Sequence, residues 1–196
     1  PQSATEKATD LVKMAISRAR FLSPLESGTL AVDQTGLVIG GGLSGMTSAL
    51  ALANQGFKVH LIEKAERLGG TLHDVYHTFE HDDIAGFTIA LIKQVEKHPN
   101  IKLYLGTEIA GIAGHIGKFK ISLAKGDLKS EVTGGTIIVA TGARKAQTTE
   151  FMYGSKGVLT QVELEKQLHD KAYPAKGQNV VMIQCVGSRN EVHPYC

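Results

Sequence analysis

Apolar positions in the first half of the chain form two short runs separated by a longer, mixed segment. The runs are residues 37–39 and 57–62, and both are rich in Val, Ile and Leu. The segment between them, residues 44–55, is rich in Ala and Leu, contains no proline and is followed by Gly56, which suits the left-handed turn that closes a helix. Nearly continuous apolar runs are typical of parallel strands covered on both faces. The pattern therefore predicts a strand, a helix and a second strand in a βαβ unit.

Similar patterns predict the remaining elements. Apolar residues at helical spacing indicate helices over residues 10–23 and 82–98, each stopped by a proline. A capping box at Thr160 and Glu163 opens a short helix that runs to residue 170. The other predicted elements are all strands, over residues 101–105, 107–115, 118–123, 136–139 and 180–184, with a further short strand near Glu131.

Glycines dominate the turn between the first predicted strand and its helix. Gly40, Gly42 and Gly45 have the spacing G-x-G-x-x-G, which is a weak signal alone and gains weight between a strand and a helix. The first glycine allows a tight turn, the second lets backbone N–H groups approach a pyrophosphate, and the third lets the helix pack against the strand. A pyrophosphate would then lie at the positive end of the helix dipole, beside Leu43 and Ser44.

An acidic residue, Glu63, ends the second predicted strand about 20 residues after the glycines, as a dinucleotide-binding unit requires. A carboxylate at this place accepts hydrogen bonds from ribose hydroxyls and disfavours a 2′-phosphate. The sequence therefore predicts FAD or NAD rather than NADP, with Glu63 and the adjoining Lys64 in the site.

Two further motifs bear on the choice between FAD and NAD. The first, Gly69-Gly70-Thr71, follows Glu63 closely, and the second, Ala140-Thr141-Gly142, ends a predicted strand. Both resemble motifs of flavoproteins of the glutathione reductase type, and they occur in the same order. The resemblance implies FAD, with the Ala140-Thr141-Gly142 backbone near its flavin side and Ile109 near its adenine.

The predicted fold is α/β: a Rossmann-like FAD-binding domain of the glutathione and thioredoxin reductase superfamily, with a parallel sheet and an inserted β-meander. This domain is expected at residues 36–145, after an N-terminal helix and linker at residues 1–35. Residues 146–196 are expected to be part of a second α/β domain that includes the start of an iron–sulfur ligand motif.

Composition narrows the possible functions. Hydrophobic residues make up 42% and charged residues 20% of the 196 positions, as in an ordinary globular protein. A formal charge of +2 without a basic block argues against nucleic acid as a partner. The apolar runs are too short for direct membrane insertion and the N-terminus is too polar for a secretory signal, so we expect a cytoplasmic protein. Because it starts without Met, the chain is expected to be a piece of a longer one.

The two cysteines, Cys185 and Cys196, lie close together near the end of the chain. Their spacing is not C-x-x-C, which argues against a thioredoxin-like dithiol, and a disulfide is unusual in the cytoplasm. The clustering suits a metal or iron–sulfur site with further ligands elsewhere. His73, His77 and His81 are spaced four apart and offer an alternative metal site, although surface positions are the commoner outcome for such residues.

Several segments resemble the family formed by the A subunits of heterodisulfide reductase. The most specific is Gln184-Cys185-Val186-Gly187-Ser188-Arg189, within residues 181–190. The other similar segments are residues 10–15, 20–25, 53–56, 97–101 and 193–196.

This resemblance implies a FAD-bearing electron-transfer subunit of an oxidoreductase complex. Its partners would be the other subunits and an electron donor such as a hydrogenase or ferredoxin. Cys185 and Cys196 would be two ligands of a [4Fe–4S] cluster in the full-length protein. Two other functions stay open: an NADH-dependent reductase of the pyridine-nucleotide–disulfide type, and a docking subunit without flavin. No catalytic side chain is predicted, since the cofactor carries the redox chemistry.

Overall fold

The computed structural model describes residues 2–24, 27–79, 83–171, 179–192 and 194. The chain forms two compact units, one ending at Ala31 and the other beginning at Val32. The first unit contains helix α1 (Gln2–Arg20), which begins well before the predicted start at residue 10. Residues 2–9 extend it because they include the good helix formers Ala, Glu and Lys.

Strands and helices alternate through most of the second unit. Its elements, in chain order, are β1 (Gly36–Ile39), α2 (Leu43–Asn54), β2 (Val59–Ile62), a 3₁₀ helix (Gly70–Asp74), α3 (Ile84–Lys97), β3 (Ile101–Tyr104), β4 (Glu108–His115), β5 (Lys118–Lys125), β6 (Leu128–Gly134), β7 (Thr136–Val139) and α4 (Gln161–His169).

Four of the strands form a parallel sheet in the order β3-β2-β1-β7. Strand β1 therefore lies between β2 and β7, with Ile39 beside Ile62 on one side and Val139 on the other. The predicted βαβ unit is confirmed. Strand β2 starts two positions later than predicted, because the N–H of Phe57 still donates to the carbonyl of Leu52 at the end of α2.

The parallel sheet is covered on both faces, which explains its short apolar strands. Helices α2 and α3 pack on one face, where Val38 and Leu61 meet Met46 and Val95 in a buried cluster. A three-stranded antiparallel sheet, β4-β5-β6, packs on the other face. The alternation along each strand thus sends successive side chains into two different cores.

The antiparallel sheet is the predicted meander. Its core joins Leu37 and Ile62 of the parallel sheet to Ile121, Leu123 and Val132. The third strand, expected to be short, is a full seven residues from Leu128 to Gly134. Pairing with β5 from Phe119 to Lys125 extends it, although its side chains are mostly exposed and give a weak hydrophobic signal.

Residues 180–184 do not form the predicted buried strand. They have no strand pairing, and Val181 is 83% exposed. An apolar run becomes a buried parallel strand only where neighbouring strands and covering layers exist, and within the described part of the chain nothing pairs with these residues.

The predicted starts of α3 and α4 are confirmed. Thr160 and Glu163 form a reciprocal capping box at the start of α4, and the Asp83 side chain accepts from the N–H of Gly86 at the start of α3. Among the residues that the structure describes, no helix combines the length and the apolar character needed to cross a membrane. The expected domain boundary at residue 145 stays a prediction.

Candidate functional site

The carboxyl ends of β1 and β7 meet at one edge of the parallel sheet. Chain connections leave β1 toward β2 on one side, whereas β7 returns on the other, so the two strand ends form a topological switch point of the sheet. The N–H of Ala140 donates to the carbonyl of Ile39 at 2.8 Å, which holds the two strand ends together. In open α/β sheets, ligands bind at this kind of topological switch point.

Gly40 and Gly45 are both demanded by the fold. Gly40 has φ +106°, a backbone conformation that favours glycine, and a Cβ on it would overlap the carbonyl oxygen of Ala140. A Cβ on Gly45 would overlap the carbonyl oxygen of Gly40. Helix α2 can therefore approach the end of β1 closely only because both side chains are missing.

Gly42 differs from these two glycines because the protein itself leaves room for a side chain there. It has an ordinary φ of −77°, and a Cβ would meet no other atom within 4 Å. Gly42 is the N-cap of α2 and no side chain caps the helix. The first turn, with the exposed Leu43 and Ser44, leaves backbone N–H groups that have no partner within the helix.

Glu63 lies directly after β2, with its carboxylate against the glycine turn. One carboxylate oxygen accepts from the N–H of Gly41 at 2.5 Å and the other from the N–H of Ala65 at 2.7 Å. The backbone is fixed as well, since the N–H of Glu63 donates to the carbonyl of Tyr104 at 2.9 Å. Each carboxylate oxygen retains a free lone pair for a further donor. The next residue, Lys64, is exposed.

The Gly69-Gly70-Thr71 segment packs against the glycine turn. The N–H of Gly69 donates to the carbonyl of Gly41 at 2.9 Å, and a Cβ on Gly70 would lie 3.2 Å from the Cα of Gly42. Thr71 is exposed in the first turn of the 3₁₀ helix. Motifs separated in sequence thus meet around Gly41 and Gly42.

The remaining predicted cofactor contacts lie around the same sheet edge. Thr141 and Gly142 are exposed just beyond β7, and nothing lies within 4 Å of a Cβ on Gly142. Ile109 packs its side chain into the meander core, so only its backbone is left for a ligand. Ile109 lies two residues after Thr107. The N–H of Thr107 donates to the carbonyl of Glu63 at 3.0 Å, which connects the start of the meander to the end of β2.

Two other residues support the site and were missed by sequence reasoning. Gly41 is buried, and a Cβ on it would lie 2.6 Å from the Leu68 side chain and 3.0 Å from that of Glu63. Leu68 is 2% exposed and belongs to the core under α2. The run of three consecutive glycines was the available signal for Gly41, whereas nothing in the sequence marks Leu68 as a neighbour of that turn.

Only some of the candidate metal ligands lie within the described residues, and these do not form a metal site with one another. Cys185 is exposed, and Cys196 and His81 lie outside the described residues. His73 bonds to the carbonyl of Leu68 at 2.7 Å, and residues 75–79 are not helical, so His73 and His77 do not share a helix face. Within the described ranges, no group of three or more His, Cys, Asp or Glu residues is arranged to hold a metal.

Comparisons with known proteins agree with this geometry. The family described as NAD(P)-binding Rossmann-like domain matches residues 38–105. The A subunit of the H(2):CoB-CoM heterodisulfide,ferredoxin reductase of Methanothermobacter thermautotrophicus is 42% identical over 126 residues, which cover 64% of this chain and 19% of that relative. The second of two iron-sulfur A subunits of the CoB–CoM heterodisulfide reductase of Methanopyrus kandleri is 43% identical over 126 residues, with the same shares of each chain.

One solved structure extends the likeness to three dimensions. The L-proline dehydrogenase from P. horikoshii is 26% identical, with a TM-score of 0.53, over 65% of this chain and 26% of that one. The chain spans only 19% of the length of the two curated relatives described above. Over the region that matches them, the chain is similar to the A subunits of heterodisulfide reductases, and this region has a Rossmann-like dinucleotide-binding fold.

Proposed function

We propose that this chain binds FAD at the carboxyl ends of β1 and β7 and forms the flavin-binding part of an electron-transfer oxidoreductase subunit. The proposal has two supports. One is the arrangement of the glycine turn, Glu63 and the Ala140-Thr141-Gly142 segment at the carboxyl ends of the parallel strands. The other is the similarity to heterodisulfide reductase A subunits.

The observation that carries the proposal is the open space at Gly42. The fold demands glycine at position 40 and at position 45, but it would accept a Cβ at position 42 without any contact. A glycine that the fold does not need is expected where a ligand approaches the backbone closely. The uncapped first turn of α2 next to it offers N–H groups and a positive dipole end, which suit a pyrophosphate.

Glu63 supports a dinucleotide without a 2′-phosphate. Its carboxylate already accepts two backbone N–H groups and has lone pairs left for ribose hydroxyls. A phosphate beside this carboxylate would be repelled. In this proposal, Glu63 orients the adenosine end while the first turn of α2 holds the pyrophosphate.

When bound, FAD supplies a flavin ring that accepts and donates electrons. The protein's part is to bind and orient it. The exposed backbone of Thr141 and Gly142 would approach the flavin end, and the backbone at Ile109 would approach the adenine. No side chain of this chain is assigned a proton-transfer step.

An iron–sulfur cluster does not fit the described residues. A [4Fe–4S] cluster takes four ligands, usually cysteine thiolates, and the described part of the chain offers Cys185 alone. We therefore assign the cluster to the full-length protein, with Cys185 and Cys196 as two of its ligands.

Both relatives described above are named as subunits of larger enzymes, and the name of the first also contains ferredoxin. We accordingly propose, as partners, other subunits of such a complex and a donor such as ferredoxin or a hydrogenase.

An NADH-dependent reductase needs a second dinucleotide site, and the structure gives it less support. The segment before Cys185 is exposed and unpaired rather than a strand entering a glycine turn. The single-site flavin function therefore agrees better with the described residues.

Adding FAD to the purified chain and recording the visible spectrum after removal of free cofactor tests the proposal. The expected result is one flavin per chain with the two absorption bands of a protein-bound flavin. FMN, which lacks the adenosine half, should be retained much more weakly. A folded chain that retains no FAD at saturating concentration would overturn the proposal and favour the docking function.

A further inference from the structure

An ion pair between Asp74 and Lys145 joins two distant segments of the chain. The Nζ atom of Lys145 lies 2.5 Å from a carboxylate oxygen of Asp74, across 71 positions of sequence. Asp74 is the last residue of the 3₁₀ helix that begins at Gly70, and Lys145 follows Gly142 closely. The pair therefore connects the segment after the second glycine motif to the segment after β7, and both segments carry residues that we assign to FAD.

Two backbone hydrogen bonds complete a ring of contacts that includes this ion pair. The N–H of Ala140 donates to the carbonyl of Ile39 at 2.8 Å, and the N–H of Gly69 donates to the carbonyl of Gly41 at 2.9 Å. From Ile39 the ring runs through Gly41 to Gly69, along the 3₁₀ helix to the ion pair, and back along residues 140–145. Of these links, the ion pair alone is made by side chains.

The residues that we assign to FAD lie on both sides of the ion pair. Gly70-Thr71 lies on the segment that ends at Asp74, and Thr141-Gly142 lies on the segment that leads to Lys145. A ligand that contacts both segments has to lose at least one set of contacts before it can leave. A link that holds the two segments together therefore slows that step.

The ion pair can open without much cost to the fold. Both side chains are 49% exposed, so water and salt reach the charges. Exposed ion pairs contribute little to stability. The helix does not explain the placement of Asp74, because a carboxylate at the C-terminal end of a helix lies at the negative end of its dipole. The contact with Lys145 does explain it.

Helix α4 independently holds the residues that follow Asp74. A carboxylate oxygen of Glu165 accepts from the N–H of Tyr76 at 2.7 Å. The ring of Tyr76 also stacks on that of His169, with 4.2 Å between the ring centroids. Because these contacts do not involve Lys145, breaking the ion pair frees the segment after β7 without undocking α4.

We propose that Asp74 and Lys145 form an electrostatic clasp that slows the release of FAD. The closed ion pair holds together the two segments that contact the cofactor, and its opening lets them separate. Both are positioning residues, since neither is assigned a contact with FAD. The inference rests on the FAD site proposed above and adds to it the step that controls exchange of the cofactor.

The rate at which FAD leaves the chain tests the clasp. The FAD-loaded 196-residue chain would be diluted, and the flavin still bound would be measured at set times by rapid gel filtration. We expect Lys145→Met and Asp74→Asn each to release FAD about threefold faster than the wild type, the effect of one exposed ion pair. Exchanging the charges, with Asp74→Lys and Lys145→Asp together, should restore slow release. Raising NaCl from about 0.05 M to about 0.5 M should speed release from the wild type more than from the single variants.

Lys120→Met is the matched control. Lys120 forms a 2.7 Å ion pair with Glu131 on the meander, and the two side chains are 55% and 48% exposed. This variant should release FAD at the wild-type rate. The two single variants break the same ion pair from opposite sides, so a folding defect in one, seen by circular dichroism, leaves the other to decide the question.

Three results would overturn the proposal. Equal release rates in the wild type and the single variants would remove the clasp and leave the FAD site standing. Faster release that the exchanged charges do not reverse would mean that the attraction between the two side chains is not what retains FAD. A folded wild-type chain that retains no FAD would overturn the proposed function and the clasp with it.

Discussion

The carboxylate of Glu63 accepts a hydrogen bond from the backbone N–H of Gly41 at 2.5 Å, across 22 positions of sequence. This bond joins the end of β2 to the glycine turn after β1. It also fixes a negative charge beside the open N-terminus of α2, at the point where a dinucleotide would pass from its pyrophosphate to its adenosine ribose. The relative placement of these two ligand parts would then be set by one side chain.

Replacing Glu63 by Gln should weaken FAD binding by about tenfold or more, because hydrogen bonds to a charged acceptor are the stronger kind. The amide keeps the size of the side chain but loses the charge and one acceptor. Fluorescence titration with FAD measures the effect. Glu66→Gln is the control, since Glu66 is exposed and forms only a 3.5 Å ion pair with Lys125. Unchanged affinity in Glu63→Gln would show that the carboxylate does not contact the cofactor.

Replacing Gly45 by Ala should destabilise the fold by about 2–3 kcal/mol, as expected for overpacking. The added methyl group would overlap the carbonyl oxygen of Gly40 and push α2 away from β1. Urea unfolding gives the free energy change. Gly28→Ala adds the same methyl group in open space and should change stability by less than about 0.5 kcal/mol. Equal stability of both variants would mean that α2 does not approach β1 this closely.

Acid should destabilise the protein partly through His60. Burial lowers the pKa of this imidazole below its ordinary value of 6.5, the positive charge of Lys102 lowers it further, and Asp33 opposes the shift. The Nδ1 atom is buried and has no hydrogen-bond partner among the described residues. Because the pKa in the folded state is lower than in the unfolded state, the stability from neutral His60 is fully present above pH 6.5 and is lost as the pH falls through the folded value.

Urea unfolding at a series of pH values between about 7.5 and 5 tests this dependence. The wild type should lose more stability over this range than His60→Phe, which has no group to protonate there. His115→Phe alters an exposed histidine on β4 and should behave like the wild type. Parallel curves for the wild type and His60→Phe would contradict the assigned role of His60.

Local patterns were sufficient to predict the βαβ unit. Short apolar runs, a glycine turn and an acidic strand end all occur within residues 37–63, so the βαβ unit follows from neighbouring residues. The meander was also predicted, but β6 was underestimated because its seven residues are mostly exposed and its stability comes from pairing with β5.

Contacts between distant segments were beyond sequence reasoning. The overlap that a Cβ on Gly40 would make with Ala140 depends on β7 returning beside β1, which the apolar pattern does not specify. The same limit explains the incorrect strand at residues 180–184, where the residue types suit a strand but, within the described ranges, no partner lies alongside. The ion pair between Asp74 and Lys145 likewise depends on how the segment after β7 packs.

Comparing Gly42→Ala with the wild type and with Gly28→Ala tests most directly whether the fold leaves Gly42 free for a cofactor. The measurement is the dissociation constant for FAD, together with the free energy of unfolding of each cofactor-free chain. We predict that Gly42→Ala unfolds within about 0.5 kcal/mol of the wild type but binds FAD at least about tenfold more weakly. Wild-type FAD affinity in a stable Gly42→Ala variant would contradict a cofactor site at this glycine.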